Sequence, residues 1–365
     1  MSLIENLLRE FGFSQNLIDG VFAKPGATIP ALFLAGGYNV NEYHKKTGIN
    51  AKKIVNSASH LLKSQLDLHY RFKIELLTCL VDLNIMSESF GAELYYEHDV
   101  LPMPSKPAVN SLEESEKLEI PDPNKDGRMP VILDCARLYN SKYRRKGFVY
   151  GGVIEGPITA ASNIVGVENL MRGMKKSPKL VHSLLKKVTT ALIEFGNEQL
   201  ECGVDAIGIA EPTASTTVIS PKFFKEFAIP HLKKLNRKLN TIGTLVHICG
   251  YTQPIIEEWI KIPKTFVISV DEVDMEKTME TIGNKFVILA GNISPTRLRR
   301  GTPAEIEKIT KECIFKAGKS GKLALCPGCD LAPGTPEENI FTFIKTCKKF
   351  GKFPLKSKKN KQDKI

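Results

Sequence analysis

The chain has 365 residues, of which 42% are hydrophobic and 25% are charged, as in an ordinary globular protein with a large core. It contains no run of about 18 apolar residues, and residues 1–5 lack the basic start and apolar core of a secretory signal, so we expect neither a membrane span nor secretion. The net charge of +11 comes without any nucleic-acid-binding motif, which argues against a nucleic-acid partner. Eight cysteines scattered over this length indicate a reduced, cytoplasmic setting rather than a disulfide framework.

Short apolar runs rich in β-branched residues alternate with longer helical patterns, the order expected of βα units around a parallel sheet. Helical residues come first, and a lysine-rich stretch ends the chain. We therefore predict an N-terminal helical extension (1–27), a (β/α)8 TIM barrel (28–351) and a basic, disordered tail (352–365). The eight predicted strands are Pro30–Ala35, Ala92–Tyr96, Phe148–Ile154, Ala206–Ala210, Thr241–Ile248, Thr265–Val270, Phe286–Ala290 and Lys322–Leu325.

Ser-Pro and Thr-Pro pairs predict three helix starts, because the hydroxyl caps the first turn and proline needs no N–H donor there. A kink or break is expected at Pro230 in the first of these helices. Upstream, Asn56–Met86 is predicted to form one long helix or two, and Pro102–Asp126 an irregular surface segment. The three capped helices are Lys222–Leu239, Ala304–Ala317 and Glu337–Phe350.

Polar side chains follow the predicted strands at the ends where barrel enzymes carry their reacting groups. His247 and Cys249 close the fifth strand, and Cys329 follows the eighth. One imidazole and two thiolates form a zinc-ligand set that leaves a fourth position open, as in catalytic sites. We therefore predict a zinc site at His247, Cys249 and Cys329, and expect the chain to leave regular strand geometry at Gly250.

Cys326 lies three residues before Cys329 and complicates this assignment. The pair could act as a redox couple or as half of a structural zinc site, but the sequence contains no second Cys-x-x-Cys. We interpret Cys326 as a core thiol at the end of its strand, and a rival role as a ligand stays open.

Two glutamates at strand ends are candidate catalytic residues. Glu155 closes the third strand and Glu211 the fourth. Either carboxylate could be a fourth ligand that leaves when substrate arrives, or an acceptor that orients His247. The alternative for each is a structural carboxylate bonded to backbone at the barrel rim.

Three further residues are predicted to bind substrate. Asp271 and Asn292 close the sixth and seventh strands, and Arg297 follows the seventh, where barrels often bind phosphate. Arg297 could therefore meet a sulfonate or phosphate group, and the alternative is a basic helix start.

Several motifs occur in the order and spacing of the uroporphyrinogen decarboxylase superfamily, which the chain resembles over residues 28–350. Asp82 is the candidate match to the decarboxylase's catalytic aspartate. The motifs are Gly156-Pro157 with Thr159-Ala160, Ala210-Glu211-Pro212 with Ser215, Ser220-Pro221-x-Phe223-Phe224-x-Glu226-Phe227, Gly291-Asn292-Ile293-Ser294-Pro295 and Gly328-Cys329-x-Leu331-Ala332-Pro333-x-Thr335-Pro336-x-x-Asn339.

One branch of this superfamily fits better than the decarboxylase itself. The decarboxylase carries an arginine-rich substrate arm near its N-terminus, whereas residues 33–38 of this chain contain no arginine. A tetrapyrrole with many carboxylates needs guanidinium partners, so this difference argues against that substrate. The His-x-Cys…Cys pattern instead resembles the zinc-dependent methylcobamide:coenzyme M methyltransferases of methanogens and related corrinoid methyltransferases.

The resemblance implies transfer of a methyl group from methyl-cobalt(III) to a zinc-bound thiolate. The cobalt would belong to a methylcobamide (a cobalamin-type cofactor) on a small corrinoid protein, and coenzyme M is the first candidate acceptor. The resemblance also implies that His247, Cys249 and Cys329 are the zinc ligands. Alternatives are a tetrahydrofolate-dependent corrinoid methyltransferase, a uroporphyrinogen decarboxylase-type decarboxylase, and a non-catalytic barrel that only binds metal or corrinoid.

Overall fold

A computed structural model describes residues 3–10, 12–79, 82–97, 100–144 and 148–355. The strands, in chain order, are β1 (Leu76–Thr78), β2 (Glu93–Tyr95), β3 (Met103–Lys106), β4 (Val149–Glu155), β5 (Ala206–Ala210), β6 (Thr244–Tyr251), β7 (Thr265–Glu272), β8 (Ile288–Ile293) and β9 (Leu323–Pro327).

Helices connect and flank these strands. The helices α1 to α9 are α1 (Leu3–Glu10), α2 (Gln15–Val21), α3 (Gly36–Thr47), α4 (Ala51–Val55), α5 (Ala58–Phe72), α6 (Ile85–Ser89), α7 (Met129–Lys142), α8 (Pro157–Val165) and α9 (Val167–Lys176). The remaining α-helices are α10 (Pro178–Glu201), α11 (Pro221–Phe223), α12 (Ile229–Lys238), α13 (Ile256–Trp259), α14 (Met275–Ile282), α15 (Pro295–Arg300), α16 (Pro303–Ala317) and α17 (Glu337–Phe350).

Seven of the strands form one parallel sheet in the order β1-β4-β5-β6-β7-β8-β9. The segment around Ala31 supplies an eighth position, because Ala31 forms a parallel bridge to Leu325 of β9. Two backbone hydrogen bonds of 2.8 Å hold this segment, from Leu32 N–H to the Leu325 carbonyl and from Leu325 N–H to the Pro30 carbonyl. The predicted α/β barrel is therefore confirmed.

The second barrel strand differs from the prediction. Ala92–Tyr96 was expected there, but β2 pairs antiparallel with β3 in a separate hairpin. The barrel position belongs to β1, which lies inside the segment predicted as helix. Helix α5 ends at Phe72, and the next residue, Lys73, has a left-handed φ of 57°. Strand β1 has three residues, too few to show a strand period.

The first predicted strand, Pro30–Ala35, is reduced to the single bridge at Ala31. The six predicted strands from Phe148–Ile154 onward are present, with ends shifted by up to three residues. Thr302 and Glu305 form a capping box at the start of α16, as the Thr-Pro pair predicted. The break expected near Pro230 takes the form of a π-helical turn, Phe224–Ala228, between α11 and α12. No helix of the described residues is long and apolar enough to cross a membrane.

Helix α2 lies against the lower end of the barrel. Its Leu17 and Val21 form a buried cluster with side chains of β8 and β9, and Phe22 stacks on Phe286 at 5.4 Å between ring centroids. At the other end of the chain, Lys352 bridges to Thr28. Within the predicted tail, the structure describes residues 352–355, and residues 356–365 lie outside the described part.

Candidate metal centre at the mouth of the barrel

The three predicted metal ligands meet at the C-terminal end of the sheet. His247 and Cys249 lie on β6, and Cys329 lies in the turn after β9. One ligand atom of each residue lies within 4.8 Å of the other two. Zinc bonds of about 2.0–2.3 Å place donor atoms roughly 3.5–4 Å apart, so small side-chain adjustments would let all three reach one ion.

The end of β6 departs from regular strand geometry, as the sequence predicted. Residues 247 and 249 share a strand face because side chains alternate. The pairing of β6 with β7 then shifts register between Ile248 and Tyr251. Gly250 has a φ of 72°, and a Cβ on it would lie 2.8 Å from the hydroxyl of Thr217, so the bend requires glycine.

His247 is held in one orientation by Ser269 on the neighbouring strand β7. The His247 Nδ1 lies 3.0 Å from the Ser269 hydroxyl oxygen, and His247 is 6% exposed. Because Nδ1 has this partner, Nε2 is the nitrogen left for a metal ion.

The thiols of Cys249 and Cys329 interact directly with each other. The Cys329 thiol donates a hydrogen bond to the sulfur of Cys249, which lowers the pKa of Cys249 and raises that of Cys329. Burial acts on both thiols in the direction of a higher pKa. The Cys329 thiol, whose pKa is raised, therefore loses its proton readily only when a cation takes the proton's place.

Asp271 joins the two turns that carry the candidate ligands. Its Oδ2 accepts a hydrogen bond of 3.1 Å from the backbone N–H of Gly250, next to Cys249. Its Oδ1 lies against Gly328, next to Cys329, so closely that a Cβ on Gly328 would be 2.2 Å away. Asp271 was predicted to bind substrate, and in the structure its carboxylate contacts the backbone of both turns.

Asp330 anchors the Cys329 turn from the other side, a role that was not predicted from the sequence. Its two carboxylate oxygens accept hydrogen bonds from Gly36 N–H at 2.7 Å and Gly37 N–H at 2.9 Å, at the start of α3. Burial raises the pKa of Asp330 to about 6, while these two amides act in the opposite direction. Two features of the sequence could have pointed to this contact: an aspartate directly after the candidate ligand Cys329, and the Gly36-Gly37 pair.

A cavity of about 580 Å³ extends from this centre into the barrel. His247, Cys249 and Cys329 line its mouth, and Leu17 and Val21 of α2 line its opposite end. A large apolar cavity with a few converging polar groups is the usual form of a small-molecule site.

The two predicted catalytic glutamates are bonded to backbone. Glu155 accepts a hydrogen bond of 2.9 Å from Met86 N–H, and Glu211 accepts 2.8 Å bonds from Ile158 and Thr159 N–H at the start of α8. Burial raises the pKa of each to about 7. Among the described residues, neither lines the cavity below the three candidate ligands, and a catalytic role for them stays a prediction.

Asn292 and Arg297 line a second, smaller cavity of about 330 Å³. The Asn292 amide donates to the backbone carbonyls of Asp271 and Val273 at 2.9 and 3.0 Å. Arg297 is exposed. The structure therefore does not bring these two residues into the cavity of His247, Cys249 and Cys329.

Cys326 is buried in β9 and packs in the cluster that contains Leu17 and Val21. Burial raises its pKa to about 12. Within the described part of the chain, the group that could hold a metal comprises His247, Cys249 and Cys329, without Cys326.

Residues 16–350 match the family described as uroporphyrinogen decarboxylase (URO-D). The chain belongs to the uroporphyrinogen decarboxylase family. A solved structure described as a methyltransferase from Methanosarcina mazei superimposes on this family member with a TM-score of 0.81. It is 27% identical, and the match covers 92% of this chain and 98% of that one.

Curated relatives of this family member include two kinds of methyltransferase. The chain is 27% identical to the methylated-thiol–coenzyme M methyltransferase of Methanosarcina mazei, over 73% of this chain and 70% of the relative. It is 34% identical to the methylcobamide:CoM methyltransferase MtaA of Methanosarcina barkeri, over 60% of this chain and 62% of the relative, which is less than two thirds of that protein. The family predicted from the motifs, and its methyltransferase branch, are thereby confirmed.

Asp82, the candidate match to the decarboxylase's catalytic aspartate, forms a buried ion pair. Arg128 of α7 binds Asp82 with two hydrogen bonds of 2.7 and 2.9 Å and reaches Glu88 through Nε at 2.7 Å. Arg128 is 2% exposed and Asp82 6% exposed. No sequence pattern pointed to Arg128, because its partner is 46 residues away.

Proposed function

We propose that this family member is a zinc-dependent methyltransferase that moves a methyl group from a methylated corrinoid protein to a thiol, with coenzyme M as the first candidate acceptor. The observation that carries the proposal is the convergence of His247, Cys249 and Cys329 within 4.8 Å at the barrel mouth. The names of the methyltransferase relatives support both the methylcobamide donor and the coenzyme M acceptor. We place the reaction in the cytoplasm, in keeping with eight free cysteines.

The donor set fits zinc. One imidazole and two sulfurs suit a borderline-soft cation, and three protein ligands leave the fourth position for substrate. When bound, zinc would hold the acceptor's sulfur deprotonated, and hence nucleophilic, at neutral pH.

The chain's own residues would prepare this position in three ways. Ser269 fixes the His247 ring, and Asp271 and Asp330 fix the two cysteine turns through backbone amides. The apolar walls of the cavity exclude water from the reacting sulfur.

The transfer balances as a displacement at carbon. The acceptor's sulfur forms the new S–CH3 bond while the Co–CH3 bond breaks. The bonding pair stays with cobalt, which leaves as cobalt(I), and the thiol proton goes to solvent. The corrinoid protein would approach over the barrel mouth, because the methyl carbon must meet the sulfur in line.

The remaining site residues enter this proposal as predictions. Glu155 and Glu211 would act in catalysis only through rearrangement, since backbone amides hold both carboxylates in place. Asn292 and Arg297 would contact a partner or substrate group outside the main cavity.

The test is a metal measurement followed by a methyl-transfer assay. Protein purified without chelator should contain about one zinc per chain, and Cys329→Ala should lose it. Free methylcobalamin should lose its methyl-cobalt absorbance when coenzyme M is added, with homocysteine and tetrahydrofolate as competing acceptors. Full activity in chelator, or decarboxylation of a porphyrinogen by the Cys329→Ala variant, would contradict the proposal.

A further inference from the structure

The interior of this barrel is open where barrels of this type are normally filled. TIM barrels pack their centre with layers of bulky side chains from alternate strands. Here β4 and β5 contribute the small residues Gly151, Ala206, Gly208 and Ala210 to the cavity wall, beside Val153. These small residues leave an apolar space directly below the three candidate ligands.

The exposure of inward-facing side chains supports the same conclusion. Leu245 of β6 and Val267 of β7 line the cavity and are only half-buried. Their outward-facing neighbours Val246 and Ile268 are 0% exposed, packed under the helices. A Cβ on Gly208 would lie 3.5 Å from the nearest atom, a methyl carbon of Val153, so position 208 can accept a side-chain carbon without a clash.

The cavity is also without a free positive charge. Among its described lining residues there is no lysine or arginine. The amide groups at the start of α3 face the cavity but already hold the carboxylate of Asp330. Asp82, at the cavity wall, is neutralised by Arg128. An anionic group placed inside would lose its hydration without gaining a partner.

We infer that the barrel interior is a binding compartment for the alkyl chain of a neutral thiol, whose sulfur lies at His247, Cys249 and Cys329. This inference rests on the proposed function and adds a class of acceptor to it. The sulfonate of coenzyme M must face the barrel mouth, whereas an alkyl chain extends inward between β4, β5 and β6.

The chemistry is that of the proposed transfer with a different acceptor. The alkyl thiol's sulfur bonds to the methyl carbon, the Co–CH3 bond breaks with its electron pair on cobalt, and the thiol proton goes to solvent. The product is a methyl alkyl thioether, and no further oxidant or reductant is needed.

The test is direct binding of ethanethiol, 1-butanethiol and 1-hexanethiol to the zinc-loaded, full-length protein by titration calorimetry. Each added methylene should tighten binding about three- to fourfold, since it moves from water into an apolar space. Gly208→Leu should remove this dependence on chain length, and Gly208→Ala should reduce it. Ala304→Leu, an exposed position on α16, is the size-matched control and should keep the full dependence.

The outcomes separate this inference from the proposed function. A protein that binds zinc and ethanethiol, with an affinity that does not rise with chain length, overturns the inference alone. Unchanged chain-length dependence in a folded, zinc-loaded Gly208→Leu variant also overturns it. A protein that takes up no zinc and binds no thiol overturns both.

Discussion

Gly328 lies so close to Asp271 that a Cβ at position 328 would be 2.2 Å from the Asp271 Oδ1 and 3.0 Å from its Cα. The close approach to the Asp271 backbone matters because a backbone atom cannot rotate away as a side chain can. Because residue 328 precedes Cys329, the close packing of Gly328 against Asp271 fixes the position of one candidate metal ligand at the barrel mouth.

Gly328→Ala should therefore displace Cys329 and weaken metal binding by about tenfold or more. Zinc affinity is measured by competition with a chromophoric chelator. Gly151→Ala is the matched control, because its Cβ would meet no atom closer than 3.6 Å. Equal zinc affinity in the two variants would contradict the positional role of Gly328.

Ser269→Ala should also weaken metal binding, by about 10- to 100-fold, because the His247 ring loses the partner of its Nδ1. The variant should fold normally, since one hydroxyl is removed without changing the strand. Ser162→Ala removes a buried hydroxyl that bonds to the Thr159 carbonyl within α8 and to the Thr213 hydroxyl, and it should leave zinc affinity unchanged. A Ser269→Ala protein with wild-type affinity would show that the ring needs no such partner.

Glu155→Gln should change the pH dependence of stability. Burial raises the pKa of Glu155 to about 7 from 4.5, so the folded state holds its proton more tightly than the unfolded state. The stability this provides is present below pH 4.5 and is lost as the pH rises through 7. Glutamine stays neutral and still accepts from Met86 N–H. We expect the variant to be more stable than wild type at about pH 8, on the order of 1 to 3 kcal/mol, and similar at about pH 4.

Urea unfolding at the two pH values measures this difference. Glu211→Gln is an informative comparison, because both Glu211 oxygens accept backbone N–H groups and an amide nitrogen would face one of them. That variant should lose about 1 to 3 kcal/mol at about pH 8. A Glu155→Gln variant with the same stability change at both pH values would rule out titration of this carboxyl.

Arg128→Ala should destabilise the fold by about 3 to 5 kcal/mol, because it leaves the buried Asp82 carboxylate without its cation. The double variant Asp82→Asn with Arg128→Gln removes both charges and should recover part of the loss. Thermal unfolding of the wild type and the two variants compares the loss of stability with and without the unpaired Asp82 charge. A double variant no more stable than Arg128→Ala would show that packing, not the unpaired charge, sets the cost.

The sequence was sufficient to predict the barrel and the meeting of His247, Cys249 and Cys329. The barrel follows from the repeated alternation of strand and helix patterns. The three side chains meet because the C-terminal ends of all its strands lie at the same edge of the sheet. Strand β1 was not predicted, because three residues are too few to show the alternation of a β-strand. Ala92–Tyr96 was assigned to the barrel in its place.

The contacts around the site could not be predicted in the same way. Asp271 and Asp330 bond to backbone N–H groups of distant segments, and a backbone amide has no signature in the sequence. Arg297 follows the right strand but lines a different cavity, since a position at a strand end does not fix the direction of a long side chain. The open interior depends on several glycines and alanines facing inward together, which only the strand register reveals.

Leu17 and Val21 of α2 cover the lower end of the barrel, against Ile288, Ala290 and Ala324. A chain shortened to begin at residue 28 would lose this cover and let water enter the interior from below. Such a protein would expose apolar surface that is normally covered and would tend to aggregate. Helix α2 thus closes the lower end of the barrel. Tags or fusions are better attached at the C-terminus, where they do not disturb this packing.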